Sequence, residues 1–271
     1  MDQTRIHVHD LRVPRADLPL ALASLHRALE PGHLLDLAVP RTHGAPPGPA
    51  EEHGDDGSWS ADGLAQVLAG AGFGVDTITA ATGRFVARST RLRTLADTVG
   101  PGMRLLVCGL NPSLYSADRG VGYARPGNRF WPAALEAGLV RRDRDPLHAL
   151  ASCGVGMTDL VKRATVGAAE LAAGEFREGA ERVGRLVAWL RPAVVCFVGL
   201  AGWRAAVDAG AVAGLQPAPF GGRPAYVMPS TSGLNAHASR AALVAHLAAA
   251  AAVAETEAAA AAAGSPAAAR R

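Results

Sequence analysis

At 271 residues and 49% hydrophobic composition the chain can bury a real core, as one large domain or two small ones, and disorder is excluded as the default. Its net charge of +3 is unevenly spread: nine basic residues stand against twelve acidic ones over 1–99, and sixteen against ten over 100–250. A basic second half suits a phosphate backbone without demanding one, and three scattered cysteines with no C-x-x-C spacing argue against zinc or iron–sulfur sites.

Cys108 and Cys196 lie inside apolar runs and Cys153 opens a short strand, so structural thiols in a reducing cytosol are expected. The N-terminus is polar, unlike a signal peptide. The Ala-rich stretch 241–263 is weakly hydrophobic and broken by Glu255 and Glu257, so no membrane is expected.

In chain order, helical spacing over 16–30 predicts a helix stopped by Pro31-Gly32, and 34–39 reads as a strand. A Pro/Gly/Asp-rich loop fills 40–57. Ser60 caps a helix to Ala71, and a hairpin follows, 74–80 with 84–90. Residues 91–102 form a linker ending in Gly-Pro-Gly. Beyond it come strand 104–109, a long loop, helix 128–138, a short helix at 146–151 and strand 154–158. Helix 168–190, strand 193–199, helix 201–209, strand 224–228 and a helix from 236 complete the chain. Strands alternating with helices predict a three-layer α/β/α fold around a mostly parallel sheet over 103–250, preceded by a small α/β accessory domain over 1–90 and followed by an Ala-rich tail over 251–271.

The most informative segment is 109–131, Gly-Leu-Asn-Pro-Ser-Leu-Tyr-Ser-Ala-Asp-Arg-Gly-Val-Gly-Tyr-Ala-Arg-Pro-Gly-Asn-Arg-Phe-Trp. It places Asn111 at the C-terminal end of the strand Leu105-Leu106-Val107-Cys108, where open α/β sheets bind ligands. A hundred residues on comes Met228-Pro229-Ser230-Thr231-Ser232-Gly233-Leu234-Asn235.

Together these two segments resemble the active-site motifs of the mismatch-specific uracil/thymine-DNA glycosylases of the uracil-DNA glycosylase superfamily, over about residues 98–250. Residues 1–90 weakly resemble the C-terminal half of a class I methyltransferase, through Leu-His-Arg-Ala-Leu-Glu-Pro-Gly and Gly-Ala-Gly-Phe. The Gly-rich cofactor turn of that class is missing, so a degenerate or truncated accessory domain without chemistry is expected.

The glycosylase resemblance implies hydrolysis of the bond between uracil, or thymine or ethenocytosine, and deoxyribose in double-stranded DNA opposite guanine, initiating base excision repair. It implies no cofactor and no metal, a monomer, and a cytoplasmic, nucleoid-associated protein. Asn111 would hold the attacking water; an amide cannot take its proton, so turnover is slow unless a carboxylate assists. Asp118 is the nearest carboxylate in sequence, with a turn residue or arginine partner as the plainer role. Tyr123 would stack on the flipped base, and Pro112, Ser113, Ser116 and the loop amides 112–116 would line or read it. Ser113 stands where the family has Gly. Asn128 reads as a helix N-cap, and Phe130 and Trp131 as core.

Leu234 is the candidate wedge beside a Gly233 hinge, and Ser230, Thr231, Ser232 and Asn235 would contact DNA. His237, in the first turn of a helix, reads as a surface residue. Of 27 basic residues 26 are arginine. The exception, Lys162, reads as a solvated or phosphate-contacting cation and not as a Schiff-base amine, so base removal without strand cleavage is expected. The alternative is a non-catalytic DNA-damage-binding protein with a remnant methyltransferase domain.

Overall fold

A computed structural model describes residues 6–41 and 58–264. The loop 40–57 and the end of the Ala-rich tail lie largely outside the described residues.

Four strands form a first sheet: β1 (Ile6–Asp10), β2 (Leu34–Pro40), β3 (Phe73–Ala81) and β4 (Arg84–Arg91), in the order β1-β2-β4-β3. Only β1 and β2 are parallel; β4 runs antiparallel to both β2 and β3. Helices α1 (Leu18–Ala28) and α2 (Ala61–Gly70) cover one face, burying Leu18, Leu22, Leu64 and Leu68 against Leu35, Leu37, Phe85 and Ala87. Ser60 caps α2 by accepting from the Gly63 amide at 3.0 Å, as its position predicts. The other face carries polar pairs such as Arg88–Asp36. The sequence reading misses β1, whose pattern Ile-His-Val-His-Asp is short and half polar. Its exposed Ile6 and Val8 mark it as an edge strand that gains little from burial.

The second sheet joins β5 (Leu105–Gly109), β6 (Val155–Asp159), β7 (Val194–Val198), β8 (Gly214–Leu215) and β9 (Ala225–Met228) in the order β6-β5-β7-β9-β8. All neighbours are parallel except the two-residue edge strand β8. Period-two alternation sends Leu105 and Val107 to one layer, with α4 (Phe130–Glu136) and α8 (Arg240–Gly264). Leu106 and Cys108 face the other layer, with α6 (Ala173–Leu190) and α7 (Leu200–Ala206). The result is a three-layer α/β/α fold with fully buried strands. Two short helices, α3 (Leu114–Arg119) and α5 (Pro146–Cys153), complete it; α3 sits inside the segment read as a loop. Helix α8 is long and apolar enough to cross a membrane by length and composition. Leu243, Leu247, Ala250 and Ala254 nevertheless spend its apolar face in the core.

Because β6 and β7 flank β5 on opposite sides, winding reverses at β5, and its C-terminal end opens into the crevice such a reversal creates.

Candidate active site

That crevice is a cavity of about 270 Å³ lined by Asn111, Tyr123, Asp159, Ser113, Ser230 and Leu234, among others. Drug-sized ligands occupy roughly 300–1,000 Å³, so this space suits one small planar ring. Both sequence motifs reach it, from elements separated by a hundred residues.

Asn111 stands two residues past the end of β5 and its amide nitrogen is fully committed. Its two hydrogens are shared among the carbonyls of Arg163 at 3.0 Å and Pro112 at 3.2 Å and Thr165 Oγ1 at 2.8 Å. Two of these partners are carbonyls, which only accept, so the NH2 end is fixed and Oδ1 is left as the acceptor for the cavity. The Arg163 carbonyl is itself steadied, since the Arg163 guanidinium clasps Glu175 at 2.7 and 2.8 Å and the Glu170 carbonyl at 2.7 Å. Thr165 is buried and runs beside the motif as a parallel bridge to Ser113.

Ser113 does what a glycine at this position could not. Its hydroxyl caps α3, accepting from the Ser116 amide at 3.1 Å and donating to Ser116 Oγ at 3.1 Å. Ser116 is thereby buried and engaged within the loop. The Leu114 amide donates to the Thr165 carbonyl, so of the amides expected to read a base, those of Ser113 and Tyr115 have no protein acceptor among the described bonds.

The residue that sequence reasoning missed is Asp159. It ends β6 in register with Gly109, and its carboxylate lines the same cavity as Asn111. A methyl at Gly109 would collide with this carboxylate and meet the Tyr123 hydroxyl at 3.0 Å, so glycine is required for the two groups to share the pocket floor. Burial raises the Asp159 pKa, Asp97 adds to the rise, and Lys162 and Arg182 oppose it, leaving it at about 6. The position-at-strand-end argument that singles out Asn111 applies equally here. Asp118, by contrast, is exposed, lies outside the cavity and is held by Arg93 through two bonds of 2.7 Å.

Tyr123 takes a left-handed backbone (φ 58°), and its ring stacks on Phe130 with centroids 4.2 Å apart and planes at 20°. One face is therefore occupied by protein. Its hydroxyl is buried without a partner among the described residues, and burial beside Asp159 pushes the phenol well above its usual pKa. Asn128 is not the N-cap expected, since Arg129 holds that position; its side chain instead accepts from the Phe130 amide at 2.9 Å in a turn one residue ahead of the helix, and Phe130 and Trp131 are fully buried.

Lys162 is not the solvated or phosphate-contacting cation expected. Its ammonium is mostly buried and bonds Asp97 Oδ1 at 2.8 Å, within a cluster that adds Thr158 at 2.7 Å and Arg182 at 2.9 Å. Burial alone would raise the Asp97 pKa, but Lys162 and Arg182 hold it below the ordinary carboxylate value. Arg182 also donates to the Asp159 carbonyl at 2.6 Å, tying the cluster to the cavity floor.

The second motif closes the rim. Arg129 pins it by donating to the carbonyls of Ser232 at 3.0 Å, Asn235 at 2.7 Å and Ala238, while its own amide bonds Thr231 O. A side chain at Gly233 would come within 2.7 Å of the Gly127 carbonyl, so this glycine permits close packing of the two motif loops instead of serving only as a hinge. Leu234 is 84% exposed at the mouth. Ser230 and Ser232 accept backbone amides at 3.3 Å and keep their hydroxyl protons for other acceptors. Thr231 is buried, and the Asn235 side chain is engaged internally with Ser230 O and the His237 amide. Exposed His237 stands in a turn ahead of α8, which starts at Arg240 and not near 236.

With this geometry belongs a match of residues 96–253 to the model of the uracil DNA glycosylase superfamily. The chain belongs to the uracil DNA glycosylase superfamily. Membership implies a DNA glycosylase, a hydrolase acting on DNA. The match begins at Ala96 and gives no support to the methyltransferase resemblance of residues 1–90.

Proposed function

We propose that the protein is a monofunctional glycosylase that hydrolyses the N-glycosidic bond of uracil mispaired with guanine in double-stranded DNA, with thymine or ethenocytosine as further substrates, and so initiates base excision repair. The observation that carries this reading is the fixed Asn111 amide facing a base-sized cavity beside the ionisable Asp159. Residues 1–90 act as an accessory unit.

In the proposed reaction the flipped pyrimidine enters the cavity against the free face of Tyr123, and Leu234 fills the gap in the duplex. The C1′–N1 bond breaks with its electron pair leaving on the base, while water held by Asn111 Oδ1 attacks C1′. Asp159 accepts the water's proton. A carboxyl with a pKa near 6 is well matched to that task at neutral pH. The Ser113 amide, at the cavity wall, receives charge on the departing base. Lys162, spent on Asp97, is not free to attack the sugar as a Schiff-base amine.

Release of base from G·U, G·T, A·U and single-stranded uracil substrates tests the assignment. Fastest release from G·U, with an intact strand until alkali is added, is the expected result. Duplex binding without release of any base would favour a damage-binding protein instead.

A further inference from the structure

A second cleft, about 240 Å³, opens between the first sheet and α3, lined by Arg27, Arg91, Leu95, Ala96, Asp118 and Arg119, among others. Arg27 lies in the last turn of α1, Arg91 ends β4 and Arg119 ends α3, so three separate elements send a guanidinium to one place. None of the three has a carboxylate partner among the described ion pairs. Arg27 bonds Ser24 Oγ at 3.0 Å, Arg91 bonds the carbonyls of His26 and Leu92, and Arg119 lies 5.3 Å over the Tyr115 ring. The one acid in the cleft, Asp118, already has both oxygens on Arg93. Nearby His26 is neutral above about pH 4, because burial and Arg91 depress its pKa, so it offsets nothing. Burial also pulls the pKa of Arg27 and Arg91 below the usual arginine value, outweighing the opposing pull of Glu30 and Asp118 on Arg91. The backbone amides of Leu95 and Ala96 have no acceptor among the described bonds.

Cations and free amides converging on a concave site call for an oxyanion. The cleft lies close to the candidate active site. Ser113 and Ser116 of the α3 segment face the Asn111 cavity, Asp118 and Arg119 face the cleft, and Leu95 lines both. The two are separated by one six-residue helix, about 9 Å long.

We propose that this cleft binds a backbone phosphate of the duplex whose base occupies the Asn111 cavity, which makes the first sheet part of the DNA-binding surface. The identity of the ligand as DNA rests on the glycosylase reading; the oxyanion chemistry does not.

The test is the affinity for a lesion-free duplex, measured by fluorescence anisotropy over a range of salt, for the wild type, for Arg27→Gln with Arg119→Gln, and for a charge-matched control. Arg12→Gln with Arg84→Gln serves as control, at the opposite end of β4 about 20 Å away. The cleft variant should bind several-fold more weakly, with a salt slope smaller by about 1, and the control should change neither. Unchanged affinity and slope in the cleft variant, or an equal loss in the control, overturns the proposal. Calorimetry with inorganic phosphate separates the sources. Phosphate binding lost in the cleft variant while duplex affinity and slope stay constant means a free anion site, and the DNA assignment fails. Base release by the wild type reports on the glycosylase reading separately, so uracil release with an unchanged slope sinks only this inference.

Discussion

Asn111 is held by a cage that selects an amide over a carboxylate. An aspartate there would set a negative oxygen against the Arg163 and Pro112 carbonyls, which favour its protonated form. Asn111→Asp should therefore lose more activity, relative to wild type, at pH 8 than at pH 6; a constant ratio would contradict the cage. Thr165 positions the amide through one neutral hydrogen bond of about 1 kcal/mol. Thr165→Val should slow excision about fivefold at saturating duplex with affinity unchanged, while Thr165→Ser keeps the rate. Asp159 sets the pH dependence. Its folded pKa of about 6 lies above its ordinary 3.8, so excision rises as pH passes through about 6, and Asp159→Asn should flatten that limb. The same elevation means that native stability favours the protonated form and is lost as pH rises from about 4 to about 6. Asp159→Asn should accordingly raise the melting temperature at pH 8 and leave it nearly unchanged at pH 4. Asn111 was legible in the sequence because a named motif surrounds it. Asp159 was not, because its meaning comes from the strand register with Gly109 and from the buried cluster behind it, neither of which is local in the chain.

At the scale of elements, α3 shows how one side chain turns part of a loop into a helix. Ser113 supplies the N-cap of a six-residue helix inside a segment that its Asn-Pro start and glycines mark as a loop. Ser113→Ala should cost about 1 kcal/mol of unfolding free energy and Ser113→Gly only a few tenths, read from denaturant midpoints. Periodicity found every long helix and every buried strand of the second sheet. It missed β1 and β8, which are short edges with little burial, and it started α8 too early because the turn 233–238 reads as helical in composition but is fixed by Arg129 from another element.

Across the whole molecule, the two sheets are fastened beside the candidate active site. Asp97 accepts Lys162, Thr158 and Arg182, while its amide bonds the Gly70 carbonyl of α2. Trp59 and Trp189 add an edge-to-face contact at 5.3 Å. Removing the acid strands two buried cations, so Asp97→Ala should cost roughly 3–5 kcal/mol, detectable as a lowered unfolding midpoint. No composition argument reveals such a junction, since its members Trp59 and Trp189 lie 130 positions apart. The proposed reaction depends on the Asn111 side chain and the water proposed to sit against its Oδ1. Uracil release from a G·U duplex under single-turnover conditions, compared between the wild type and Asn111→Ala, examines that most directly. Loss of release with duplex affinity retained is the predicted result, and release at the wild-type rate by the variant would contradict it.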